Sequence, residues 1–159
     1  MELPDGARTG RLNAAVAGGG GFFVPGRPVS QGSKTVVFSS EGRPRVIDGR
    51  GSRPRELAAW RDAVAQSAFV WVRGRPLEGP VAVDCAFFLP RPRRQRTPLD
   101  WPTQRASGDV DKLARAVLDA LSGVAFADDV QVVELRATKQ WAGAAGEGVL
   151  VAIRPAGTA

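Results

Sequence analysis

The chain contains no histidine and no tyrosine, one cysteine and one methionine in 159 residues. Each shortage removes a class of chemistry. Without histidine there is no His-ligated metal centre, no Ser-His-Asp triad and no Cys-His dyad. Cys85 has no partner within the chain, which excludes a disulfide scaffold and suits a reduced, intracellular protein. No run approaches the ~18 apolar residues of a membrane-spanning helix. Glu2 and Asp5 precede the first positive charge, unlike a secretory signal, so a soluble, cytoplasmic protein is expected. Carboxylates, lysine, arginine and hydroxyls remain for any catalysis.

Lysine is scarce as well. Only Lys34, Lys112 and Lys139 stand beside nineteen arginines, and the balance of 22 basic to 16 acidic residues leaves a formal charge of +6. The arginine fork donates bidentately to phosphate and stays charged at every accessible pH. A biased composition would produce the same excess, and net charge alone speaks to solubility and non-specific binding. Nucleic-acid contact and plain solvation therefore both stand at this level. A chain of this length forms one domain, burying roughly 68–70% of its unfolded surface.

Residues 1–20 run through Ala14-Ala15-Val16-Ala17 into Gly18–Gly21 without clear periodicity, which predicts a flexible tail ahead of a domain over 21–155 and a short tail at 156–159. Phe22-Phe23-Val24, Thr35-Val36-Val37-Phe38 and Arg45-Val46-Ile47 read as a small meander of strands. The loop Pro28–Lys34 between the first two is polar and reads as a turn, with a functional use left open. Ser52-Arg53-Pro54 opens a helix in which Leu57, Trp60, Val64 and Trp71 form a core stripe rather than a stacking platform. Pro80–Leu89 is nearly continuous in apolar character and predicts a central strand with Cys85 buried in it. Val110, Leu113, Ala114, Val117, Leu118 and Leu121 mark the buried face of a second helix, stopped at Gly123. Strands with two clear helices in one unit make an α+β domain.

Two charged features interrupt this framework. Arg91, Arg93, Arg94 and Arg96 follow Pro90 in a proline-punctuated loop reaching to about Ser107; they form a prong that either contacts phosphates or is simply solvated. Six of the sixteen acids lie between Asp109 and Glu134. Asp111, Arg115 and Asp119 share a helix face in steps of four, where ordinary ion pairs are available. Asp109 and Asp111 converge only if Asp109 sits extended before the first turn; helix capping and dipole compensation would place the same two residues there. Asp128 and Asp129, at the start of a β-rich run, gain nothing structurally and repel unless a cation lies between them and the helix start. A helix-turn-strand return brings Asp129 beside Asp109 and Asp111 if the strand that Asp129 enters packs under the helix. That oxygen-only set is the kind Mg²⁺ or Mn²⁺ takes, with Asp128 as a further ligand and Arg115 placed to stabilise a phosphorane. Lys112 points elsewhere around the helix. The EF-hand pattern is not met after Asp109.

Gly108-Asp109-Val110-Asp111-Lys112-Leu113, then Ala116-Val117-Leu118-Asp119-Ala120-Leu121, Gly123 and Asp128-Asp129-Val130-Gln131-Val132-Val133 resemble the signature of RusA-type Holliday junction resolvases. The match combines D-x-D, L-D-A-L and D-D-x-Q-V-V at close to the family spacing. Weaker similarity at Pro28–Ser30 and Phe88-Leu89-Pro90 extends it over most of 21–155. The resemblance implies a single α+β domain with a mixed sheet packed by two main helices, acting as a homodimeric, magnesium-dependent endonuclease that resolves four-way DNA junctions by paired symmetric nicks. It implies Asp109, Asp111 and Asp129 as metal-binding catalytic aspartates. The family's essential lysine falls on Arg115, which keeps the charge but not lysine's capacity for proton transfer. Lys112 stands where the family usually has asparagine, returning a lysine to the site. Lys34 joins Arg91, Arg93, Arg94 and Arg96 as candidate DNA contacts. Two other readings stay open: a nuclease of the same fold acting on other branched DNA, and a non-catalytic basic DNA-binding module.

Overall fold

The computed structural model describes residues 10–18, 20–32, 34–48, 53–93 and 101–157. Strand β4 (Val81–Leu89) lies at the centre. Val81, Val83, Cys85, Phe87 and Leu89 face one side of it, and Ala86 and Phe88 the other; all are buried. Covering both faces accounts for a strand that is almost continuously apolar. β4 pairs antiparallel with β6 (Gly148–Pro155) and parallel with β5 (Val132–Trp141), and β1 (Gly21–Pro25) closes the far side of β6. The sheet order β1-β6-β4-β5 makes β5 an edge strand.

Parallel neighbours require a crossover, and α3 (Val110–Leu121) supplies it between β4 and β5. α2 (Pro54–Val72) packs beside α3 on the same sheet face. Proline sits in the first turn of α2, where its missing N–H costs nothing, and the helix ends on Arg73 in the left-handed region at φ 49°. The core between helices and sheet is built from Trp60, Val64 and Ala68 of α2, Leu113, Val117 and Leu121 of α3 and the strand residues above. The expected α+β domain, with a mixed sheet and two principal helices, is what the chain forms. No described helix is long and apolar enough to cross a membrane.

Four local expectations change. Gly10–Ala17, expected within a tail, is a helix, α1, whose Leu12 and Val16 pack with Phe23, Phe88 and Leu150 on the opposite sheet face. Two apolar residues at i, i+4 suffice because the sheet offers a ready surface. The expected meander is divided: β2 (Lys34–Phe38) and β3 (Pro44–Asp48) pair only with each other, while β1 joins β6. On α3, Ala116 and Ala120 are buried, whereas Val110 is exposed and Leu118 half-buried, because the helix is pressed by α2 as well as by the sheet. The expected ion pairs among Asp111, Arg115 and Asp119 do not form; Arg61 of α2 takes the Asp119 carboxylate instead.

Burial pushes the Cys85 thiol up to about 12, with the Asp84 charge adding to it. An unfolded thiol, ordinarily at 9.0, releases its proton earlier than the folded one, so this group removes stability as pH rises above 9 and contributes no pH dependence below it. Native protein should react with iodoacetamide at pH 9 only at its rate of global opening, and its urea midpoint should fall between pH 9 and 11 more in wild type than in Cys85→Ala. Rapid alkylation of the folded protein would contradict the burial.

Candidate active site

At the start of α3, Asp109 occupies the N-cap position with extended backbone, φ −82° and ψ 137°. Its carbonyl accepts from Leu113 N–H at 3.0 Å, but its carboxylate makes no capping bond. The carboxylate instead accepts from Lys112 Nζ at 2.8 Å. Capping therefore does not account for this side chain. Lys112, expected to point away, folds back along the i,i+3 row of the helix surface. Its hydrogen bond, then its charge, hold the Asp109 carboxyl below the usual range, with Lys139 adding a smaller pull; Asp109 in turn raises Lys112. Asp111 is exposed in the first turn, where the helix N-terminus favours a negative charge. Because Asp109 precedes the helix, the two carboxylates are not forced onto divergent faces.

Two other parts of the chain hold this corner. Gly108 has φ +74°, and a Cβ there would lie 3.2 Å from Ser30 Cβ and Oγ, so conformation and space both call for glycine. Gln31 N–H donates to the Lys112 carbonyl at 3.1 Å. The loop read as a turn is thus docked on the α3 start. From β5, Lys139 Nζ donates to the Gly108 carbonyl at 2.7 Å and to Ser107 Oγ at 3.0 Å. Neither Lys139 nor Gln31 stands out in the sequence; only the tertiary pairing of β5 with β4 brings Lys139 here.

Asp129 is elsewhere. In a strand-helix-strand crossover the helix runs back along the sheet, so residues before it lie at the C-terminal ends of the strands and residues after it at their N-terminal ends. Twelve residues of α3, at 1.5 Å each, separate the two ends by about 18 Å. The turn after α3 stays compact, with Ala125 N–H donating to the Leu121 carbonyl at 2.8 Å and Leu77 N–H to the Ala125 carbonyl at 2.8 Å. β5 then begins at Val132, opposite Val81 at the start of β4, whereas Lys139 lies opposite Phe87 near its end. The expected return of Asp129 to Asp109 within one chain does not occur.

Asp128 has a structural task that the sequence reading denied it. Its side chain accepts from Val130 N–H at 3.0 Å, while Gln131 Oε1 accepts from Asp128 N–H at 3.2 Å, a capping box on the short 3₁₀ turn Asp129–Gln131. Gln131 Nε2 also donates to the Gly79 carbonyl at 2.8 Å, which ties this turn to the start of β4. Asp129 is exposed and makes no ion pair among the described residues.

Arg115 is exposed one turn beyond Asp111. Arg91 lies over the Trp141 ring at 5.4 Å from its centroid, a cation–π contact that orients it at the end of β5. Arg93 is exposed; Arg94, Arg96 and the Lys34 side chain fall outside the described residues. The carboxylates of Asp109, Asp111 and Asp129 are donors of the type a hard divalent cation takes. They fit such an ion in kind but not in number, since among the described residues no three acidic or other metal-ligating side chains gather closely enough to hold one.

Removing the capping box by Asp128→Ala should cost about 1 kcal/mol in urea denaturation, with Asp128→Ser losing less. An unchanged midpoint for Asp128→Ala would free Asp128 from this structural role.

Compared with known proteins, residues 25–154 match the family model described as endodeoxyribonuclease RusA. No curated protein matches the chain. The matched segment takes in every described element from β2 to β6, including the corner that holds Asp109 and Asp111, and the chain belongs to the RusA family of endodeoxyribonucleases.

Proposed function

We propose that two copies of this chain form a Mg²⁺-dependent endonuclease, with Mn²⁺ an acceptable substitute, that resolves four-way DNA junctions by paired symmetric nicks. One observation supports this most: the exposed Asp109–Asp111 pair and Asp129 lie at opposite ends of α3. A two-fold axis that sets two such helices antiparallel brings Asp129 of the partner subunit to Asp109 and Asp111, and by symmetry creates two equal sites. Two sites on one dimer suit two symmetric cuts. The surface around Asp129 favours such a contact. Val130, Val133 and Leu135 are 79%, 60% and 49% exposed, and β5 has no strand on its outer side; apolar side chains grouped at an open edge are what an interface covers.

A divalent ion held by these carboxylates would neutralise charge developing on the scissile phosphate. The chain's own groups do the rest. Arg115 presents a charge that cannot leave as a proton, so it serves phosphate stabilisation and not proton transfer. Lys112 neutralises Asp109 in the free protein and limits repulsion at the helix start. Arg91 and Arg93, with Arg94, Arg96 and Lys34, supply phosphate contacts along the arms of the junction. The missing Asp109 capping bond weighs against the binding-module alternative, in which the carboxylates serve only as caps, although Asp128 does cap its own turn.

Complementation tests the shared site. Asp109→Asn and Asp129→Asn should each abolish Mg²⁺-dependent cutting of a mobile junction. Mixed dimers of the two variants carry one site with both changes and one with neither, so they should recover single nicks. A site contained in one chain predicts no recovery on mixing. In the same assay a linear duplex should survive; equal cutting of junction, flap and duplex would remove junction specificity.

Val133→Lys combined with Leu135→Lys should convert the dimer to a folded monomer by sedimentation and reduce cutting to background. A double variant that stays dimeric would move the interface off β5.

A further inference from the structure

Lys139 is the one described lysine or arginine whose hydrogen-bond partners are confined to uncharged groups within the candidate site: a backbone carbonyl and a hydroxyl. It forms no ion pair among the described residues, and it is half-buried. Its charge reaches the Asp109 carboxylate, but no acid bonds it directly, and a neutral donor would satisfy one of the same acceptors with less desolvation. The position of the acceptors explains the choice. The Gly108 carbonyl belongs to the peptide whose nitrogen is that of Asp109. The Asp109 carbonyl is held by Leu113 N–H. Both peptides flanking the Asp109 Cα are therefore fixed, one by the strand and one by the helix.

Ser107 extends the hold. Its hydroxyl accepts from Lys139 and lies 2.6 Å from the Pro102 and Gln104 carbonyls, which its single proton can serve in turn. Lys139 thus braces the 3₁₀ turn Arg105–Ser107 as well as the peptide leading into the D-x-D pair. Ser30 lies close enough to Gly108 that a Cβ there would meet it at 3.2 Å. The stem of Lys139 rises from the helix-covered face of β5, in register with Phe87, so the ammonium is aimed by the sheet and not by a flexible loop.

We infer that Lys139 is a positioning residue for Asp109: by gripping the Gly108–Asp109 peptide and Ser107 from the end of β5, it sets the direction in which the first carboxylate of the D-x-D pair faces the scissile phosphate. The inference rests on Asp109 acting in cleavage as proposed above. It adds a strand residue to a site otherwise built at the helix start. Displacing a reacting group by about 1 Å costs on the order of a hundredfold in rate, so a loosened grip shows in the chemical step before it shows in binding.

The test compares Lys139→Met and Lys139→Arg in the full chain. K139M should lower the single-turnover cleavage rate on a synthetic four-way junction by about tenfold to a hundredfold, with unchanged junction Kd and thermal midpoint. Amide hydrogen exchange should quicken at 107–110 and not in β4 or β6. K139R retains a charged donor of similar reach and should recover most of the rate and protection. The inference is overturned by wild-type cutting and exchange in K139M, by a loss that falls equally on midpoint and binding, or by no recovery in K139R. Should K139M not fold, K139Q carries the same comparison. If Asp109→Asn cuts normally, the functional reading fails first; if Asp109→Asn is inactive and K139M is not impaired, only the role of Lys139 falls.

Discussion

The parallel pairing of β4 with β5 is the constraint on which the rest of this structure depends. Two parallel neighbours cannot be joined by a tight turn, so the chain must leave the C-terminal end of β4, travel back over the sheet and re-enter at the other end. That return is α3. Its N-terminus consequently stands at the same end as the last residues of both strands, where Lys139 and Arg91 also lie. Its C-terminus delivers Asp128 and Asp129 to the opposite end. The buried face of α3, with Leu113, Val117 and Leu121 on Phe87 and its neighbours, holds the arrangement through apolar burial on the order of 25 cal/mol per Å².

Charge is distributed according to that geometry. The acids of the α3 start are embedded in positive groups: Lys112 on Asp109 directly, and Lys139 behind it. This keeps a carboxylate ionised at an exposed corner while leaving Asp111 open. The proposed dimer adds the third carboxylate from outside the chain, which makes activity conditional on assembly and spaces two sites by the dimensions of the dimer. Such a dependence couples cutting to the recognition of a symmetric, branched substrate.

Much of the fold was legible in the residues. The 3.6-residue period of α3, the proline at the start of α2 and the unbroken apolar run of β4 each reflect local rules that the tertiary structure had no reason to override. α1 was not legible, because Leu12 and Val16 acquire meaning only against the face formed by Phe23, Phe88 and Leu150. The division of β1 from β2 and β3 was hidden for a related reason: antiparallel strands close in sequence usually pair, yet β1 takes the sheet edge beside β6, which comes from the far end of the chain.

The site divides in the same way. The sequence by itself determined which acids are candidates for the chemistry, that no histidine could share it, and that Asp109 and Asp111 flank the start of a helix, since residue types and i, i+2 spacing are properties of the chain alone. Only the tertiary structure decided where those acids stand. Asp128 turned out to cap its own short turn, Lys139 was brought to Gly108 by strand register, and Asp129 was carried a helix length away from Asp109. The physical reason is the direction of the crossover: spacing along a chain measures contour length, whereas a helix of fixed rise, laid antiparallel to the strands it joins, converts that length into separation.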